Sequence, residues 1–359
     1  MDLATFNRLL SAAAKGGASD IHFKSFVPPA VRINGTLNPV KCPALAPEDM
    51  DRIAGHLLAQ VRFKGDPGDI RDFDSSYTIE GVARFRVSLF RQMGHFASII
   101  RVIPFAVPTF EQLGAPAILE KITQEPRGLV LVTGVTGSGK TSTLAAMVDY
   151  LNSREKLHIL TIEDPIEFLH QDKLSRITQR ELGIDTPNFP RALRAGLRQD
   201  PDVILVGEMR DIETIETALT AAETGHLVLG TLHTTDAGKS IGRILGAFPN
   251  EAQHSVRLRL AETLRAIISQ RLLPHASGKG RVLAAEILVS TLAVQTMIRE
   301  PEKMGALRDY LEQGGSVYGT QSFDQHLLEL LRAQKITGEV ALSNASNAAD
   351  MQRILMLEG

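Results

Sequence analysis

Residues 134–141 read Gly134-Val135-Thr136-Gly137-Ser138-Gly139-Lys140-Thr141, and no other stretch constrains the fold as tightly. Gly134, four free positions, then Gly139, Lys140 and Thr141 make a complete phosphate-binding loop. The preceding run, 128–133, is apolar up to its closing Thr133 and reads as a buried parallel strand. The following run, 142–152, reads as a helix. Strand, glycine turn and helix in that order turn a pattern match into a site. Glycines let backbone N–H groups curl around phosphates without Cβ clashes. The helix N-terminus adds the positive end of its dipole. Gly134, Thr136, Gly137, Ser138, Gly139, Lys140, Thr141 and Ser142 are therefore the nucleotide-binding candidates. Lys140 is expected to reach the β- and γ-phosphates, and the Thr141 hydroxyl to ligate Mg²⁺.

At about 150 residues per domain, a chain of 359 residues predicts two domains, with room for a small appendage. The net charge of -2 supplies no general attraction to nucleic acid or anionic membrane. A lone cysteine, Cys42, excludes an intramolecular disulfide and a multi-cysteine zinc site, and fits a reducing compartment. The N-terminus has no secretory signal pattern, and no apolar run approaches membrane-spanning length. A cytosolic protein is expected.

Residues 3–15 read as an amphipathic helix with Phe6, Leu9, Leu10 and Ala13 on one side. Strands are expected at 20–23 and 30–33, with Asn34-Gly35 as a hairpin turn signal. Residues 48–61 read as a helix. In 81–89, Arg84 and Arg86 share one face of an alternating strand, and a further strand follows at 95–103. Residues 1–103 form a small α/β domain in this reading. Two prolines without periodicity mark 104–109 as a linker. Beyond it, apolar strands at 128–133, 157–162, 202–206 and 227–231 alternate with helices. That pattern predicts a parallel α/β sheet over about 110–290, with its ligand at the strand C-terminal ends. From 291 onward the chain reads as helical. Phe323, Leu327, Leu330 and Leu331 form one stripe, and 341–355 carries a similar one.

Three blocks sit just beyond predicted core strands. In Glu163-Asp164-Pro165-Ile166-Glu167, a carboxylate at the strand tip can orient the attacking water or take its proton, and Glu163 is the choice for that role. Glu167 is the weaker candidate, since Asp164 and Glu167 can also serve as turn caps. The block 202–211 resembles a Walker B strand, but Gly207 stands where an Asp usually follows the apolar run. The acid comes one residue later, as Glu208, which could bind the metal through water. Arg210 is either a phosphate ligand or a partner for Asp211. In the third block, His226 and His233 bracket an apolar strand. A histidine near the γ-phosphate can sense ATP against ADP, and His233, at the strand's C-terminal end, is the better placed. Among the arginines, Arg84, Arg86 and Arg101 lie on N-terminal strands. Arg191, Arg194 and Arg198 fall on one helix face by their spacing. Such cations can act on developing phosphate charge, often across a subunit interface.

These blocks, in this order, resemble the type II/IV secretion ATPase superfamily, and within it the type IV pilus retraction ATPase (PilT) family. The likeness spans nearly the whole chain. Residues 18–22 and 28–35 look like the family's PAS-like N-terminal domain, 161–168 its Asp box, 200–211 its Walker B and 224–234 its His box. Residues 319–324 look like its C-terminal helical region. The resemblance implies a PAS-like α/β domain followed by a RecA-like P-loop ATPase core and that helical region. It further implies a homo-hexameric ring, cytoplasmic and peripheral at the inner-membrane base of the pilus machine. In that ring ATP and Mg²⁺ sit between the domains. By the same analogy Lys140, Glu163, Glu208 and His233 are catalytic, and Arg84, Arg86 and Arg101 are cationic contacts. An inner-membrane platform protein is the implied partner, and a second retraction ATPase is possible beside it. No nucleic acid is expected. A single cysteine, and the lack of the extra N-terminal domain typical of assembly ATPases, favour retraction over assembly. The chain departs from the family at Val135, where Pro is usual, and at Gln295, where an Arg is usual within 293–300. The second departure keeps an accessory paralogue in view. A pilus or secretion assembly ATPase is the other alternative, and a nucleic-acid translocase a lesser one.

Overall fold

The computed structural model describes every residue except 34, 62, 64, 104, 105, 314–317 and 359. Asn34 of the expected turn, and Pro104 at the head of the expected linker, therefore lie outside the described residues. The chain divides into two compact units, residues 1–107 with 167–170, and residues 108–166 with 171–359.

In the first unit the described residues form a six-stranded antiparallel sheet. Its strands are β1 (Asp20–Lys24), β2 (Ala30–Ile33), β3 (Thr36–Pro39), β4 (Asp72–Ile79), β5 (Ala83–Gln92) and β6 (His95–Ile103), in spatial order β3-β2-β1-β6-β5-β4. Strand β5 alternates buried and half-buried positions along its first eight residues, as its sequence requires. Phe85, Val87 and Leu89 face a core shared with Phe6 and Leu10 of the helix Leu3–Lys15 and with Met50, Ile53 and Leu57 of the helix Pro47–Gln60. The first helix starts on an Asp2 cap, whose carboxylate accepts from Thr5 N at 2.7 Å.

The second unit is built on a seven-stranded sheet of described residues. It comprises β7 (Gly128–Thr133), β8 (His158–Glu163), β9 (Arg176–Glu181), β10 (Val203–Val206), β11 (Leu227–Leu232), β12 (Leu264–Pro274) and β13 (Arg281–Val289). The order is β13-β12-β7-β11-β10-β8-β9, parallel except for β13. Strands β7, β10 and β11 are buried at every residue, so both faces are covered and the apolar run is continuous rather than alternating. One face packs Leu129, Leu131, Ile204 and Val206 against the helices Ile212–Glu223 and Ala237–Leu245. The other packs Val130, Val132, Leu205 and Leu229 against the helix Lys140–Arg154. The core is therefore a three-layer α/β sandwich. Four of the seven strands were expected from the sequence; β9, β12 and β13 were not.

Phe323, Leu327 and Leu330 of the helix Phe323–Arg332 cover Leu273, Val282 and Ala284. The single stripe expected over 341–355 is two helices, Gly338–Asn344 and Ala348–Glu358. The break is chemical. The Asp324 carboxylate accepts from Ser346 N at 2.6 Å and from Asn347 N at 2.9 Å, which offers the backbone an alternative to the helix ladder.

Two buried titratable groups lie where this layer joins the sheet. Burial pushes the Glu286 carboxyl up to about 7, although Ala237 N donates to it at 2.8 Å. Burial pushes His326 down to about 4, and its Nδ1 accepts from Ala285 N at 2.9 Å, a bond that the neutral ring makes. The stability contributed by Glu286 is thus present below its ordinary 4.5 and lost as pH rises through about 7. That from His326 is present above its ordinary 6.5 and lost as pH falls through about 4. Between 4.5 and 6.5 the two slopes oppose each other and nearly cancel. Glu286→Gln removes one of them. Urea unfolding at pH 4 and pH 8 is expected to show the variant gaining on the wild type by about 3 kcal/mol at the higher pH. A difference between variant and wild type that does not change with pH would contradict this.

Candidate nucleotide site

The loop after β7 is shaped by its glycines. Gly134, Gly137 and Gly139 have φ of 146°, 80° and 91°. A Cβ on Gly134 would lie 2.4 Å from Ser138 Oγ and 2.6 Å from the Gln270 carbonyl oxygen, so only glycine fits there. Lys140 opens the following helix and folds back over the loop, donating to the Gly134 carbonyl at 2.8 Å and the Val135 carbonyl at 3.2 Å. No side chain caps that helix at Gly139, which leaves its first-turn N–H groups directed at the concavity. Residues 135–137 are exposed, whereas Ser138 is buried with no hydrogen-bond partner for its hydroxyl. A cradle that a Cβ would fill, together with an orphaned buried hydroxyl, fits a bound phosphate chain.

Because β7, β11, β10 and β8 are parallel neighbours, their C-terminal ends share one edge of the sheet. Along it lie the phosphate loop, then His233, then Glu208, then Glu163. At ~4.8 Å per strand, the span from loop to Glu163 is on the order of 14 Å. Glu163 ends β8 and is buried, and its Oε1 accepts from Thr161 Oγ1 at 2.7 Å. Beyond β10, Glu208 Oε1 meets His233 Nε2 at 2.9 Å and also takes the Arg210 guanidinium. The Glu208 carboxylate in turn raises the Arg210 pKa above its ordinary value. Arg210 therefore partners Glu208 rather than Asp211, whose carboxylate caps the helix Ile212–Glu223 by accepting from Thr214 N at 2.8 Å. Gly207 sits close against the end of β8. A Cβ there would lie 3.0 Å from the Ile162 carbonyl oxygen and 3.3 Å from Glu163 Cα.

His226 does not join this cluster, and the expectation that it contacts nucleotide at this edge is corrected. It sits just before β11, at the opposite end from His233, with a six-residue strand of about 20 Å between them. Its Nδ1 lies 2.9 Å from the Ala221 carbonyl oxygen and 3.2 Å from Thr224 Oγ1, where it closes the end of the preceding helix. The shared face expected for Arg191, Arg194 and Arg198 is also corrected. The helix runs Phe189–Gly196, so Arg198 lies in the turn beyond it, and Arg194 pairs with Glu213. A Cβ at Gly196 would be 2.3 Å from Leu160, a close approach that seats the helix end on the sheet.

In the first unit, Arg86 lies directly opposite Arg101 on the neighbouring strand. Like charges in such a pair repel unless an anion compensates. Asp20 supplies one, 2.9 Å from Arg101. Burial works against the Asp20 charge, but the bonds from Ser19 and Arg101 leave its carboxyl below the ordinary range. Arg84 donates to Ser76 Oγ at 2.9 Å. Glu167 is exposed and groups with this unit.

Sequence reasoning missed Gln179, on the unexpected strand β9, whose Nε2 lies 3.2 Å from Glu163 Oε1. The alternation in Arg176-Ile177-Thr178-Gln179 was the available signal. For a metal, Thr141 and Glu208 offer hard oxygen donors. Among the described residues no group of three or more His, Cys, Asp or Glu could hold a metal ion. A Mg²⁺ here would take its remaining ligands from phosphate and water.

A phosphate loop at the edge of a parallel sheet, with acids after two neighbouring strands, defines a P-loop ATPase. The chain belongs to the family described as Type II/IV secretion system protein, which matches residues 3–341. It is 46% identical over 337 residues to the type IV pilus retraction ATPase PilT of Pseudomonas aeruginosa, covering 94% of this chain and 97% of that one. It is 46% identical over 327 residues to a twitching motility protein of Neisseria gonorrhoeae, covering 91% and 87%. The crystal structure of the pilus retraction motor PilT with bound ADP superposes with a TM-score of 0.87 at 43% identity, covering 96% of this chain and 98% of that one. No helix among the described residues is long and apolar enough to cross a membrane.

Proposed function

We propose that this chain is an ATP-hydrolysing motor for type IV pilus retraction, withdrawing pilin subunits from the fibre and producing twitching motility. The observation that carries the reading is near-complete collinearity, at 46% identity, with a relative named as a pilus retraction ATPase. The ordered edge of phosphate loop, His233, Glu208 and Glu163 supports it. The working form is a homo-hexamer at the cytoplasmic base of the pilus machine, acting on an inner-membrane platform protein. In this reading 1–103 is the N-terminal domain, 104–109 the linker, 110–290 the ATPase core and 291–359 the C-terminal helical region.

Residues 134–142 hold the phosphates through backbone N–H groups and the Lys140 ammonium. Thr141 and Glu208 would hold Mg²⁺, which when bound would supply charge neutralisation on the phosphates. Glu163 orients the attacking water and accepts its proton. His233 contacts the γ-phosphate and reports its loss to Glu208. Arg84, Arg86 and Arg101 supply cationic contacts from the N-terminal domain, with Arg194, Arg198 and Arg210 as further candidates. A strain lacking the gene is expected to carry more surface pili than its parent and to lose twitching, read by electron microscopy and by motility on agar. Bald cells would assign the motor to assembly instead. Unchanged cells would assign it an accessory role, with Gln295 the residue to restore to arginine.

A further inference from the structure

Strand β8 is apolar at Ile159, Leu160 and Ile162, yet it buries a hydroxyl at Thr161, which is 1% exposed. A buried hydroxyl costs free energy unless it finds a partner. Its partner is Glu163, two residues on and on the same face, at 2.7 Å. Thr161 is paired in register with Gln179 of β9, and Glu163 with Glu181. Gln179 donates to Glu163 Oε1, the oxygen that also accepts from Thr161. Glu181 is itself buried and its Oε2 accepts from Ile166 N at 3.2 Å. Leu182 N donates to the Glu163 carbonyl at 2.9 Å. The edge strand β9, with Leu182 just beyond it, thus grips Glu163 at both its carboxylate and its backbone, and also holds the turn that follows it.

We propose that Thr161 and Gln179 are positioning residues that fix the plane of the Glu163 carboxylate for proton transfer from water. This rests on reading Glu163 as the base. Two donors on one oxygen remove the rotational freedom of a side chain that has to meet water in a single geometry. Hydrogen bonds to a charged acceptor are the strong ones, so the hydroxyl of Thr161 contributes more than its size suggests. Gln179, at the longer distance, contributes less.

The test is steady-state ATP hydrolysis by the full-length protein, with nucleotide affinity measured separately. Thr161→Val keeps the shape and removes the donor. It is expected to lower kcat about tenfold to thirtyfold, with KM and ADP affinity within about twofold of wild type. Thr161→Ser keeps the hydroxyl and is expected to restore kcat to within about threefold. Gln179→Leu is expected to cost about threefold to fivefold. In a Glu163→Gln background, Thr161→Val is expected to cost nothing further, because its effect passes through Glu163. Wild-type kcat in Thr161→Val, a loss confined to KM, or an equal loss in both backgrounds would each overturn the proposal. Wild-type turnover in Glu163→Gln alone would overturn the base assignment, and the positioning role with it. That result is distinct from an inert Glu163→Gln beside a fully active Thr161→Val, which overturns positioning only.

Discussion

Glu163→Gln is expected to lower ATP turnover by about 10² to 10⁴, the range that general-base catalysis supplies. The substitution keeps the length of the side chain and leaves an amide oxygen to accept from Thr161 Oγ1, so the local packing survives. What it removes is the basic oxygen at the tip of β8. ADP and ATP affinities are expected to stay within about threefold, because phosphate binding lies three strands away at the loop. A fluorescent-nucleotide titration beside a phosphate-release assay separates the two quantities. A variant that hydrolyses normally would move the base to another carboxylate. A variant that fails to bind would make Glu163 a structural element of the pocket.

Gly134→Ala is expected to weaken nucleotide binding by at least about a hundredfold. The new methyl would approach two atoms of different character. Ser138 Oγ, at 2.4 Å, belongs to a side chain, but a buried one with little room to turn. The Gln270 carbonyl, at 2.6 Å, belongs to the backbone of β12, which is bonded on both sides within the sheet and cannot retreat. The loop must move instead. A φ of 146° adds strain of about 1 to 3 kcal/mol for any residue with a Cβ. Gly137→Ala is the matched control. Its φ is also positive, at 80°, but a Cβ there meets nothing within 4 Å, so a loss of about tenfold or less is expected. Equal effects in the two variants would contradict the steric account of the loop.

Much of the candidate edge was legible because its signals are local. A glycine pattern between an apolar strand and a helix names its own geometry, and acids placed just past continuous apolar runs fall at the C-terminal edge of a parallel sheet. The unexpected strands lacked such signals. Strand β12 follows the helix Asn250–Thr263 with no intervening turn residue, and it carries Ser269 and Gln270 through the core. Ser269 and the Gln270 amide nitrogen are tolerated because Thr133 Oγ1 bonds Ser269 at 3.0 Å and Gln270 Nε2 bonds Thr143 at 2.7 Å, contacts that form only in the folded sheet. Strand β9 is a polar edge, where β-branched and charged residues can serve either loop or strand. His226 misled for a related reason. Two histidines around one strand look equivalent in sequence, but a strand has two ends, and only one of them faces the phosphate loop. Spacing alone puts the arginines at 191, 194 and 198 on one face, but the helix stops before the third.

Hydrolysis at this edge is expected to drive retraction. The most direct test replaces the chromosomal gene with the Glu163→Gln variant and counts surface pili and twitching beside the parent and the deletion strain. The deletion phenotype is expected, with pili retained at the surface and motility lost, from a protein present at normal abundance. Parental twitching from a variant shown to be inert in phosphate release would contradict it.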